Sequence, residues 1–404
     1  MYSPNVRIGD QIRRYRKTNG NRSQAAIAGL CGISVRYMSM IENNQRTPAP
    51  DLLSRFAVVL GVPVALLLSE NATPKPKRFN SVTNDVSRAL FGHVPAQNDT
   101  AISPAELRLR VERAWLSWQT SQTRFTEAER DLPPLIADVD CALHQVPSAS
   151  DARARRENLR TAADLYGLLR SYCRRAGRPD LSAIVADRAI RAADDADDPV
   201  LMATARWNMG HVLLSDPREE AAEEAEEIAL TAIEQIRRER SSPELTAMQG
   251  ALELVAVVSE ARRREWWKAR NRLEKNAGLL ATRAGESNVG RTVFGPTNVQ
   301  LHRLSIEMLA GESAEALRLA DQVDAQDLPS RERQFTFGLD VARCYDMRRE
   351  DPAVFVHLLN LEELAPEDLA RSPQALALVR GLLKRVRPTY RRQVTDLADR
   401  LGLS

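Results

Sequence analysis

Apolar residues recur three and four positions apart in block after block of the chain, the spacing of amphipathic helices. Over residues 8–19, Ile8 and Ile12 fall on one side while Arg13, Arg14, Arg16 and Lys17 give a basic side. Two short helices follow in NRSQAAIAGLCGISVRYMSMIENNQRTP, residues 21–48. Ser23 is placed to cap the first, Ala25, Ala28 and Leu30 suit a packed face, and Gly32 supplies the permissive backbone for the stop. Ile33 can plug the core beneath the turn, and Ser34 caps a second helix that begins at Val35 and ends near Asn43. Met38 and Ile41, three apart, should face inward. Thr47-Pro48-Ala49-Pro50 is a rigid stop, and the next helix carries Leu52, Leu53, Phe56, Val59 and Leu60 before Gly61. Pro63 opens a last short helix through Leu68.

Residues 71–104 are polar, Pro-containing and turn-rich, and they read as a linker in which Lys75, Lys77 and Arg78 form a basic cluster. Helical periodicity then fills residues 105–404. The segments lie near 105–119, 125–145, 156–176, 180–195, 200–214, 218–238, 244–262, 264–284, 294–310, 313–323, 331–348, 352–363, 373–386 and 389–402. The expected architecture is all-α: a five-helix head over 1–70, a linker over 71–104, and a helical array over 105–404.

The second short helix of the head carries an unusual outward face. Val35, Arg36, Ser39 and Met40 lie opposite Met38 and Ile41. A guanidinium such as that of Arg36 can offer two parallel donors to a guanine edge, and Val35 can touch a thymine methyl. Arg22, Gln24, Ser34, Tyr37, Asn43 and Arg46 surround that face, where backbone phosphates would set register. Charge agrees. Residues 1–78 hold 12 Lys/Arg and 4 Asp/Glu, net +8, whereas the remainder holds 45 and 50, net −5. A basic head on an acidic body fits a phosphate-binding domain on a scaffold better than a uniformly solvated surface does.

The four cysteines, Cys31, Cys141, Cys173 and Cys344, and the five histidines lack metal-ligand spacing, so no metal or cofactor is expected. No apolar run approaches the roughly 18 residues of a membrane span, and MYSPNVRIGDQ lacks a signal-peptide core. A reduced, cytoplasmic, nucleoid-associated protein with no membrane partner is expected.

The run SQAAIAGLCGIS…YMSMIENNQRTP resembles the helix-turn-helix of the phage-repressor (Xre/Cro) superfamily. Matching positions are Ser23, Gln24, Ala28, Gly32, Ser34, Tyr37, Ser39, Ile41, Glu42 and Pro48. The family usually has Gly where Asn44 stands, a mild departure because Asn is next best in the left-handed region. The resemblance implies that Gln24 and Asn43 clamp phosphates while Val35, Arg36, Ser39 and Met40 approach bases. In the array, Asn208, Gly210, Ala222 and Ala229 stand at tetratricopeptide separations within 203–236, with weaker echoes around Ala189, Ala316 and Pro366. That register places Asn208, His211, Asn298, His302, Asp340 and Arg343 on a concave groove. Trp207 adjoins it, and Arg291 and Phe294 stand in the loop segment VGRTVFGPTNVQLH at its edge. Trp115, Trp118 and Phe125 read as core or, more sharply, as a dimer contact.

The layout is similar to peptide-responsive regulators of Gram-positive bacteria. It is closer to actinomycete Xre-type regulators through the FGPTNVQLH and ALRLADQVD runs. The leading expectation is a homodimeric transcription regulator that binds double-stranded operator DNA as an inverted repeat and takes a peptide or small-molecule effector. The alternative is a helical-repeat interaction scaffold tethered to DNA. An enzyme comes third, since no phosphate loop or nucleophile motif is present.

Overall fold

In the computed structural model the described residues are 8–18, 22–60, 62, 64, 67, 84–94, 102–144, 152–324, 328 and 330–403. The chain divides into two compact units, Met1–Arg78 and Phe79–Ser404. The described residues of both are helical, and an isolated bridge between Ser287 and Phe294 is the one extended pairing among them.

The head holds α1 (Ile8–Thr18), α2 (Gln24–Cys31), α3 (Val35–Glu42) and α4 (Pro50–Leu60). The fifth expected helix falls mostly outside the described residues, although Val64 and Leu67 within it are helical and Leu67 is buried. The caps are those the sequence implies. Ser23 Oγ accepts from Ala26 N at 3.1 Å and Ser34 Oγ from Tyr37 N at 3.2 Å. Gly32 is left-handed at φ 67° and returns its N–H to the carbonyls of Ala28 and Gly29. Ile12, Ile27, Met38, Ile41 and Phe56 are fully buried around one small core. Ala25 and Leu30 do not join it. Both are exposed, because Ile27, Ala28 and Cys31 form the packed face of α2. Asn44 adopts φ 57°, and its amide fastens α3 to α1, accepting from Gly9 N at 2.9 Å and donating to Asp10 at 3.0 Å. A glycine there could turn equally well but could not make that clasp.

The body begins earlier than expected. Part of the linker is helix α5 (Asn84–Leu90), whose Val86, Ala89 and Leu90 enter the first core of the body. Three apolar residues in a polar stretch give too short a pattern to read as a helix from sequence. Lys75, Lys77 and Arg78 lie outside the described residues. There follow α6 (Pro104–Thr120), α7 (Arg124–His144), α8 (Ala152–Arg175), α9 (Pro179–Ala196), α10 (Pro199–Leu213), α11 (Glu219–Ile236) and α12 (Pro243–Arg262). The expected 264–284 helix is α13 (Trp266–Arg272), a π-turn (Leu273–Ala277) and α14 (Gly278–Ala284). At that turn Arg272 and Asn276 both reach the buried Glu253, at 2.9 and 3.2 Å. Next come α15 (Pro296–Ala310), α16 (Ser313–Ala320), α17 (Arg331–Met347), α18 (Asp351–Leu364), α19 (Pro366–Arg371), α20 (Pro373–Arg385) and α21 (Arg391–Arg400). The six-residue α19 was not apparent from periodicity.

Each helix packs mainly on its chain neighbours, and successive apolar cores run along the body. Small residues set the spacing. A Cβ at Gly210 would meet Val255 at 2.8 Å, and Ala222 and Ala229 are buried between helices. Long-range polar contacts bring the start of the body to its later helices. Arg124 on α7 pairs with Asp368 on α19, Glu367 accepts from Phe125 N at 2.7 Å, and Arg331 donates to Leu364 O at 2.9 Å and to Thr120 O.

A methyl group at Gly250 on α12 would sit 2.0 Å from the ring of Phe294, whereas one at Gly29 on α2 would meet open space. Gly250→Ala should therefore lower the stability of the body by about 1–3 kcal/mol, and Gly29→Ala should raise that of the head by up to about 1 kcal/mol. Chemical denaturation of the full chain with site-resolved amide exchange separates the two. The reverse order would contradict the packing described.

Candidate functional sites

In the head, α3 is held from beneath by a buried charge arrangement. Glu42 is almost fully buried. It accepts from Arg16 Nε at 2.6 Å, from Arg16 Nη2 at 2.9 Å and from Gln24 Nε2 at 2.7 Å. Arg16, expected on the basic outer side of α1, is thus an internal ion-pair partner and also donates to Arg22 O at 2.7 Å. Burial pulls the Glu42 carboxyl up, but the hydrogen bonds from Arg16 and Gln24 outweigh it and hold it below the ordinary glutamate value.

With Met38, Ile41 and Glu42 turned inward, the opposite face of α3 is open. Val35 is 49% exposed, Arg36 and Asn43 are exposed, and Ser39 and Met40 are half-buried. Arg36 and Arg46 have no ion-pair or side-chain hydrogen-bond partner among the described residues. Asn43 lies against Ser39 at 3.4 Å. Ser34 accepts with its oxygen, so its hydroxyl proton can still donate outward. Three expected contacts sit differently. One Gln24 donor is turned to Glu42, the Tyr37 ring packs on the core, and Arg22 donates to Val59 O at 3.1 Å.

In the body, the expected groove divides. Trp207, His211 and Arg291 line a partly open cavity of about 200 Å³. Asn208 stands behind it, buried, its carbonyl oxygen accepting from Arg170 Nε at 2.8 Å and from Nη2. His302 and Asp340 line a cleft of only about 20 Å³ that shares Arg333 and Thr336 with the cavity. Asp340 accepts from Ser305 and pairs with Arg343 at 3.4 Å. Phe294 is no groove residue. It is fully buried in the second core, against Gly250. Asn298 is likewise buried, at the start of α15. Trp115, Trp118 and Phe125 are also buried within the body, which removes them from any dimer contact.

The strongest features of the cavity were missed from sequence. Arg124, Arg170, Arg174, Arg175 and Arg333 line it with Arg291, beside Trp115 and Trp118. Arg124 lies 4.3 Å over the Trp118 ring, Arg170 5.3 Å over Trp207 and Arg291 5.7 Å over Trp115. Glu332 stands among them, paired with Arg175, with Arg174 at 3.5 Å and with Arg124 at 3.7 Å. Burial raises Glu332, but the three guanidinia overcome it and hold it well below the ordinary range. His211 is held well below its usual value by burial and by Arg170 and Arg174, and His302 is pushed down to about 3 by burial and Arg333. Both rings are neutral at pH 7. The signal available in sequence was Arg170 and Arg174, one helical turn apart among Leu168, Leu169, Tyr172 and Cys173.

Residues 12–67 match the family model described as helix-turn-helix, and the amino-terminal unit is a helix-turn-helix domain. No curated protein matches the chain. Among solved structures, the chain is similar to PlcR of Bacillus thuringiensis, whose structure is in complex with the peptide PapR7 and DNA. The identity is 10% and the TM-score 0.29, over 87% of this chain and 99% of that one. No helix among the described residues is long and apolar enough to cross a membrane.

Glu42 contributes stability that is fully present above the ordinary glutamate value and is lost as pH falls through its lowered folded value. Glu42→Ala strands the Arg16 charge and should destabilise the head by about 3–5 kcal/mol, with that acid-side dependence abolished. Amide exchange over residues 22–60 against pH reads both effects. An unchanged acid profile would contradict the pairing.

Proposed function

We propose that the chain is a sequence-specific DNA-binding transcription regulator, acting in the cytoplasm at the nucleoid. Its head lays α3 in the major groove of double-stranded operator DNA. The observation that carries this reading is the exposed guanidinium of Arg36, without a partner among the described residues, on a short helix whose other face is locked by Met38, Ile41 and Glu42. Arg36 and Val35 meet base edges, with Ser39 and Met40 beside them. Arg46, Asn43 and the Ser34 hydroxyl hold phosphates, and Gln24 reaches them with its remaining donor. Two copies bind an inverted repeat whose half-sites lie about 34 Å apart or a multiple of it.

The body receives an effector in its arginine-lined cavity, with Trp207, His211 and Arg291 in the wall. A small concave site lined by converging guanidinia and indoles favours a ligand over the scaffold reading, in which an extended groove or face would recruit a protein.

Arg36→Ala should cost about 1–3 kcal/mol and relax base choice at one operator position. Arg46→Ala should weaken all duplexes alike and reduce the salt slope by about one. Fluorescence anisotropy on a selected duplex and its single-base variants measures both. Uniform weakening by Arg36→Ala would move that residue to the phosphate backbone, and no preference for any duplex would remove the reading.

A further inference from the structure

We propose that the cavity of the body binds a small organic oxyanion carrying at least two negative charges, a phosphate ester or a polycarboxylate. This deepens the effector reading above and rests on it only for any consequence at DNA. Binding itself is a property of the body.

Charge is the first ground. Six guanidinia line the cavity, and the carboxylates that touch them are Glu332, Asp368 and Asp164, the last 3.6 Å from Arg291. Three positive charges are left without a counterion in a partly open cavity whose walls screen less than bulk water. The second ground is unmet hydrogen bonding. The Nε–H groups of Arg174 and Arg175 are buried without a partner, and Arg333, which lines the cavity with them, feels Glu332 only electrostatically, with no side-chain hydrogen bond or ion pair among the described residues. Buried donors in native interiors are almost always satisfied, so such a concentration points to an absent acceptor. Burial, reinforced by neighbouring guanidinia, pushes Arg170 down to about 9 and Arg174 down to about 10. Both remain charged at neutral pH, in a site where added negative charge relieves them.

The third ground is construction. Gly290, Arg291 and Val293 are all left-handed, at φ 57°, 59° and 53°. A β-branched residue rarely accepts that region, and each such non-glycine position costs on the order of 1–3 kcal/mol. Gly290 is wedged against Thr204 and Met248, and Asn288 pairs with Gln119 through reciprocal amide bonds, which holds the loop in this shape. The strained loop brings Arg291 to the cavity beside Thr292 and Val293. Size then limits the ligand. About 200 Å³ is less than the roughly 300–1,000 Å³ of drug-sized sites. The indole of Trp207 and the neutral ring of His211, 4.4 Å apart, give the organic part an uncharged wall. Planar guanidinium forks suit the paired oxygens of phosphates and carboxylates.

The test uses the full chain with inorganic pyrophosphate and with citrate, each against sodium chloride of equal ionic strength, read by calorimetric titration and thermal unfolding. At least one probe should bind with a dissociation constant below about 1 mM and raise the unfolding midpoint of the body. Whichever binds tighter assigns phosphate or carboxylate chemistry. Arg333→Gln should weaken that binding about tenfold or more, while Arg36→Ala in the head leaves it unchanged. Glu332→Gln removes the native carboxylate from the site, so it should unfold at lower temperature alone and regain stability with the probe. Neither probe binding at about ten times that concentration, or equal binding by Arg333→Gln, or binding lost with Arg36→Ala, would overturn the proposal. So would binding of an acidic peptide with neither small anion competing. If Arg333→Gln does not fold, recovery of Glu332→Gln by the probe decides the question. A chain that binds pyrophosphate but prefers no duplex retains this site and loses the regulator reading, and the converse result does the opposite.

Discussion

Arg124 is the side chain on which the body closes. It is 1% exposed and pinned between Asp368, Glu332 and the Trp118 ring. An isolated charge at that depth is prohibitive, and removing one partner of such a pair typically costs about 3–5 kcal/mol. The pairing therefore does more than decorate a surface. It ties the start of α7 to α19, residues 244 positions apart in sequence, and helices that otherwise pack on their chain neighbours are made to enclose a volume. Beside that closure Arg170, Arg174 and Arg175 of α8 and Arg333 of α17 converge, and the cavity takes most of its charge from them.

The head solves the same problem with the opposite outcome. Arg16 and Glu42 meet with near-complete satisfaction, Gln24 adds a third hydrogen bond, and no charge is left over inside among the described residues. Arg36 and Arg46, by contrast, are exposed outside the core. In the body, arginines outnumber the carboxylates placed among them. One unit thus leaves cations on an open helix face and the other gathers them around a small space. Physical chemistry asks for a large, hydrated polyanion in the first case and a compact one in the second.

Much of the fold was readable because its signals are local. Ser23 and Ser34 as caps, Gly32 and Asn44 as left-handed positions, and the apolar spacing of nearly every long helix depend on residues a turn away. The failures are tertiary or short-range. Val86, Ala89 and Leu90 make only one buried turn, too little to stand out of a polar stretch. Phe294 lay in a loop segment, and only the packing against Gly250 fixes it as core. Arg16 looked like part of a basic stripe because its partner is 26 residues away. The cavity was the largest omission. Its arginines come from four segments, 124, 170–175, 291 and 333, that only closure brings together, and in a chain with so many arginines a few more on a helix attract no notice. Trp207, His211 and Arg291 were found because the repeat register already placed them on or beside an inner face.

Selection of bound duplexes from a random-sequence pool by the full chain, followed by sequencing, is the most direct measurement. A single enriched motif is expected, arranged as an inverted repeat with half-sites about one helical turn apart or a multiple of it. A pool that remains random after repeated rounds at moderate salt would mean that the open face of α3 reads no sequence, and the regulator would have to be abandoned.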